Sequence, residues 1–188
     1  MTPQARLRRI RYWLVFFIVG LVLSGVTAFP LVTELRWVDG LLRESWVPAP
    51  DALVDFIGTV RTGAETADRD FPFLAYGTDW LAFAHLVIAM AFYGPLRDPV
   101  RNLWVIHWGM LCCVAVVPLA LIAAPIRGLP WWWIPIDISF GLFGIIPLLI
   151  VRRHILALAV SEAAPPGAAP PVVTPAPTPG SAPTPAQA

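Results

Sequence analysis

Asp137 and His85 are ionisable residues set inside long apolar stretches of this chain. A carboxylate and an imidazole placed near each other there can relay a proton, bind a cation or hold a small polar ligand. Counting 1.5 Å per helical residue, His85 lies five residues past Trp80 and Asp137 five past Trp132, about 7.5 Å inside the level of those tryptophans. Ser24 and Thr27 come to a similar depth from another segment, and Asp79 stands at the margin of the His85 arc. Ser24, Thr27, Asp79, His85 and Asp137 are therefore the candidate polar pocket. The plainer alternative is an Asp–His hydrogen bond that only fixes helix register. One imidazole is too few for a metal site, which usually takes three or four ligands, so no metal is assigned.

Other candidates are weaker. His107 sits between Trp104 and Trp108, an estimated 15 Å or so from the His85 level along the helix axis, too far apart for both to hold one haem. His154 follows Arg152 and Arg153 and reads as a solvated residue. Cys112 and Cys113 are adjacent and form no CxxC, so they are read as buried free thiols. Arg97 and Arg101, in the short segment GPLRDPVRN, are candidates for contact with lipid phosphates or with Asp98. No GxSxG, HExxH, P-loop or paired-carboxylate motif occurs, so no catalytic residue and no cofactor are assigned.

Four apolar segments must position these groups: about 12–31, 79–96, 103–124 and 131–151. Each is close to the roughly 20 residues a helix needs to cross a bilayer. With 57% hydrophobic residues, only 13% charged and a mean hydropathy of +0.70, the composition is that of a chain dissolved in lipid. A net charge of +1 gives no reason to expect a nucleic-acid partner. All 13 basic residues are arginine. Arg6, Arg8, Arg9, Arg11, Arg97, Arg101, Arg152 and Arg153 fall on one side of the four segments, whereas nine acidic residues from Glu34 to Asp79 dilute the other. The arginine-rich side is expected to be cytoplasmic, with both termini there.

The fold class expected is an all-α integral membrane protein, a four-transmembrane-helix bundle over 1–158. Gly20, Ser24 and Thr27 on the first span, and Asp137, Gly141 and Gly144 on the fourth, make small or polar stripes expected to face the bundle interior. Val26-Thr27-Ala28 also fits a signal-peptide cleavage site, but the apolar run passes beyond it and Pro30 follows, so a retained span is preferred. Residues 32–77 are expected outside the membrane as short interfacial helices. One is capped by Thr33, with Leu35, Val38 and Leu42 on one side. The other has Leu53, Phe56, Ile57 and Val60 on one face and stops near Gly63. Residues 159–188, dominated by Ala and Pro, read as a disordered cytoplasmic tail.

The stretches YGTDWLAFAH (76–85), GPLRDPVRNLWVI (94–106), APIRGLP (124–130) and DISFGLFGIIPL (137–148) resemble a family of small bacterial membrane proteins with four predicted spans and no assigned function. That resemblance implies the topology and carries over no catalytic residue. The leading expectation is a non-enzymatic accessory or structural component of the bacterial inner membrane. Its partners are the lipid bilayer and a membrane protein or a second copy. The alternatives are a proton-, ion- or small-solute-linked carrier or sensor using Asp137 and His85, and a haem- or quinone-associated redox anchor.

Overall fold

A computed structural model of the chain describes residues 2–44, 46 and 48–163. Among these residues the regular structure is entirely helical. Four helical stretches, Pro3–Ala28, Pro72–Arg97, Leu103–Ile126 and Trp131–Ser161, are long and apolar enough to cross a membrane, the make-up of a multi-pass membrane protein.

Helix α1 (Pro3–Ala28) begins where the Thr2 hydroxyl accepts a 3.3 Å hydrogen bond from Ala5 N–H, with Pro3 in the first turn. It therefore starts well before the apolar run, taking the arginine arm into the helix. Pro30 ends it, having no N–H to continue the ladder. Helix α2 (Leu31–Leu42) follows at once, so Pro30 and not Thr33 holds the N-cap position. Helix α3 (Asp51–Asp70) is 20 residues long and runs through Gly63, the position expected to stop it.

A short 3-10 turn at Pro72–Leu74 leads into α4 (Ala75–Ala91), which breaks at Phe92 before the five-residue α5 (Tyr93–Arg97). Asn102 then ties the connection to α6 (Leu103–Ile126): its Nδ2 donates to the carbonyls of Gly94 at 3.2 Å and Asp98 at 2.9 Å. Gly128, with φ of 70°, closes α6. Its N–H reaches Pro125 O at 3.1 Å, and Leu129 N–H reaches Ala124 O at 3.0 Å. This is the paired pattern in which a left-handed glycine satisfies the last carbonyls of a helix.

A 3-10 turn at Trp131–Trp133 opens α7 (Ile134–Ala163). The helix continues past Arg152 and Arg153, so residues 159–163 belong to it and not to the tail. The expected tail from 164 onward lies outside the described residues.

α1 packs against both α4 and α7, and α7 packs against α6; α4 and α7 do not form a packed pair. The contiguous core lies toward the arginine-bearing ends of the helices, around Ile10, Leu14, Phe92, Ile106, Leu148, Val151 and Ile155. Phe92 is fully buried and joins four elements. Its ring is 4.8 Å from that of Phe17 on α1 and 6.4 Å from Trp108 on α6. A Cβ placed on Gly109 of α6 would fall 2.6 Å from Phe92 Cζ and 3.1 Å from Leu148 Cδ1 of α7, so only glycine leaves room for that ring.

Toward the opposite end, helices meet through small residues. A Cβ on Gly25 of α1 would sit 2.9 Å from the Ala82 carbonyl oxygen of α4. Gly141 of α7 lies directly on the Cys113 backbone of α6, and a Cβ on Gly144 would come 3.1 Å from Cys113 Sγ. In these close approaches small residues let helix backbones come together.

Candidate functional site

The expected polar stripe of α1 is turned the other way. Gly20 has no heavy atom within 4 Å of a Cβ built on it. Ser24 and Thr27 are both exposed, with the Thr27 hydroxyl donating back to the Ser24 carbonyl at 3.4 Å. Gly25, one residue on, faces α4 instead. Cys112, expected to be buried, is likewise exposed, and Cys113 is half-buried.

His85 is half-buried on α4, with its Cβ against Gly25 and its Nδ1 2.8 Å from the Leu81 carbonyl oxygen. Nδ1 therefore donates one turn back along its own helix. Asp137 lies in the first turn of α7, half-buried. A carboxylate there is stabilised by the unpaired N–H groups and positive end of the helix dipole. The two residues thus stand on helices that pack on α1 and not on each other.

Asp79 is placed elsewhere again. It borders a cavity of about 310 Å³ formed by the α1–α2 corner, the end of α3 and the start of α4, together with Phe29, Thr33, Asp68, Leu74 and Thr78. None of Ser24, Thr27, His85 and Asp137 lines it. Among the described residues, no group of three or more His, Cys, Asp or Glu side chains converges.

The most elaborated polar structure is one the sequence reading did not single out. Asp39 of α2 is 5% exposed, the one buried charged side chain among the described residues. Arg43 Nε donates to its Oδ1 at 3.0 Å, and Arg61 Nε of α3 lies 3.1 Å from its Oδ2 as a charge contact without hydrogen-bond alignment. Glu65 extends the chain, accepting from Arg36 Nε at 2.7 Å with Arg61 Nη1 at 3.5 Å.

The hydrogen bond from Arg43 holds the Asp39 carboxyl below the usual carboxylate range, against burial that pushes it up, and the Arg43 and Arg61 charges add to the lowering. Glu65 is lowered chiefly by its hydrogen bond from Arg36. The signal was present in the spacing. Asp39/Arg43 and Arg61/Glu65 are both i,i+4 pairs on adjoining helices.

Apolar contacts fix the same hairpin to the bundle. Ile57 is buried, and the Phe56 ring lies 5.4 Å from Trp132 and 5.0 Å from Trp133 at the entry to α7. On the far side of α2, Trp37, Val38 and Leu41 are exposed, and with Trp46 they border an open depression. Val38, expected to share a face with Leu35 and Leu42, belongs to this outer side.

At the other end of the molecule, Asp98 Oδ1 accepts from the Arg101 backbone N–H at 3.1 Å, leaving the Arg97 and Arg101 guanidiniums with no carboxylate among the described residues. No family model, curated protein or solved structure matches the chain.

Proposed function

We propose that the chain is a multi-pass protein of the bacterial inner membrane with both termini cytoplasmic, acting as a non-enzymatic accessory or structural component. One observation carries this reading. The α2–α3 hairpin is fastened on its inner side by the Asp39 network and the Phe56–tryptophan contacts, while its outer side presents Trp37, Val38 and Leu41 unpartnered. Such an element is built to hold a position, not to turn over a substrate.

The exposed apolar side chains of α1 near this end, Val26 and Phe29, continue through Leu31 into that face of α2. This continuity supports α2 lying in the membrane interface on the extracytoplasmic side, with tryptophans at the level where their rings are favoured. The arginines at the opposite end, which meet no carboxylate among the described residues, support the cytoplasmic placement of that end.

The test combines depth and partnership. A nitroxide on Leu41→Cys, in a chain also carrying Cys112→Ser and Cys113→Ser, should be more accessible to oxygen than to a water-soluble nickel complex. Cross-linking in native membranes, followed by purification in mild detergent, should recover a stable membrane-protein neighbour that Trp37→Ser with Leu41→Ser weakens. A fully water-accessible label would refute the interfacial placement. Recovery of the chain alone would refute the accessory role.

A further inference from the structure

Arg152 Nε lies 3.0 Å from Nε2 of His107, a side-chain hydrogen bond between α7 and α6 across 45 residues of sequence. A guanidinium keeps its proton in a protein, so Nε donates and Nε2 must accept. The ring proton of His107 is then on Nδ1, and the imidazole is neutral. It orients Arg152 without balancing its charge. No carboxylate among the described residues is within ion-pair distance of Arg152, whereas Arg36, Arg43, Arg61 and Arg69 at the opposite end each meet one. With Nε occupied, the two Nη groups remain as a fixed fork.

The surroundings of the fork are apolar and open. One turn farther along α6 from His107, Leu111 is 66% exposed, and Leu149 is exposed on α7 one turn before Arg152. Trp104 and Trp108 stand on either side of His107 in the sequence and are also exposed. We propose that Arg152, held in place by His107, binds the phosphate of an anionic phospholipid at the α6–α7 seam.

The chemistry fits in three respects. Planar N–H forks match phosphate oxygens two at a time. Tryptophan rings favour the headgroup level, where glycerol and phosphate lie. Leu111 and Leu149 offer an acyl chain an apolar wall below, which a soluble phosphate would not use. His107 is a positioning residue: it touches the arginine and not the lipid. The inference rests on the membrane reading proposed above, with this end of the helices in the anionic leaflet.

The experiment is native mass spectrometry of the full chain in mild detergent, titrated with phosphatidylglycerol. Arg152→Gln should lower lipid retention about five-fold, the scale expected for one arginine at an anionic surface. His107→Ala should lower it by less, and His107→Gln, whose amide oxygen can still accept, should restore it. Arg153→Gln, an exposed neighbour not held by His107, should lower retention by clearly less than Arg152→Gln. If Arg152→Gln does not accumulate, Arg152→Lys, which keeps the charge but loses the fork, must still show the loss.

Unchanged retention in the Arg152 variants would overturn the proposal. So would an equal loss in Arg153→Gln, or displacement of the lipid by millimolar inorganic phosphate. Alkaline carbonate extraction reads insertion separately: release of the wild-type chain would refute the membrane reading, while loss of lipid from a carbonate-resistant variant speaks to the site alone.

Discussion

Asp39 of α2 and Arg61 of α3 face each other at 3.1 Å, and this contact joins the two helices of the hairpin across its least exposed point. Removing the carboxylate charge leaves Arg61 and Arg43 with only a neutral amide between them. Asp39→Asn should therefore loosen α2 from α3 while sparing the bundle. Amide exchange in α2 and α3 should rise on the order of ten-fold, because local opening is governed by the contacts of that unit alone. Exchange in α6 should not change.

The same carboxylates set a pH dependence. Asp39 and Glu65 are both held below their ordinary values in the folded hairpin. Between the folded and unfolded values the unfolded chain binds more protons, so stability rises with pH in that window. The contribution is fully present above the unfolded carboxylate range and is lost as pH falls through the folded values. Amide exchange of α2–α3 should thus be insensitive to pH between about 5 and 7, after correction for intrinsic rates, and should accelerate below about pH 4. Asp39→Asn should flatten most of that response.

Gly141 and Gly20 offer a matched contrast. Gly141 lies on the Cys113 backbone, which cannot step aside, while Gly20 meets nothing within 4 Å. Gly141→Ala should cost about 1–3 kcal/mol, the usual scale for overpacking a tight contact. Gly20→Ala should be neutral or slightly stabilising, since alanine is the better helix former. Unfolding of the detergent-solubilised protein by SDS separates the two.

That contrast also explains which parts of the fold were legible in the sequence. The four helices long and apolar enough to cross a membrane are readable because apolar length alone defines them. Facing is not, because the exposed and the buried faces of these helices are both apolar, so the periodicity that marks a buried face is lost. Gly20, Ser24 and Thr27 have the right spacing for an interface, yet Gly25 makes it. Outside the apolar runs, the limits were local signals overridden by packing. Gly63 does not stop α3, whose polar side continues into Glu65 and its arginine partners. Arg152 and Arg153 do not stop α7, since Ile155 and Leu158 are still buried beyond them. Of the polar residues, those within single helices could be placed in depth, but their convergence depended on helix order, which spacing does not encode.

His85 and Asp137 show the consequence. They stand on helices that pack on α1 and not on each other, so removing both should cost the sum of removing either. In a cycle of His85→Ala and Asp137→Asn, the coupling energy should be within about 0.5 kcal/mol of zero, the scatter seen for independent sites. A coupling well above that would restore a direct or water-bridged pair and with it the carrier alternative.

Phe92 packs between α1 and α6 within the buried core, and its replacement tests the packing argument directly. In a water-soluble core, deleting a buried phenylalanine side chain costs about 3–5 kcal/mol, part from transfer and part from the cavity left behind. For helices in a bilayer, as proposed above, the transfer part is largely absent, because the unfolded reference is itself in lipid. Phe92→Ala should therefore fall at or below the low end of that range, with the cavity term dominant. Gly109→Ala should be destabilising alone, since its Cβ would fall 2.6 Å from Phe92 Cζ. Combined with Phe92→Leu, which withdraws the ring, it should recover much of its own cost. Non-additivity on the order of 1 kcal/mol in that cycle, measured by SDS unfolding, would identify the ring-in-glycine contact as what joins α4 to α6. Additive losses would instead mean that the helices are held by the surrounding aliphatic contacts, with Phe92 filling space between them.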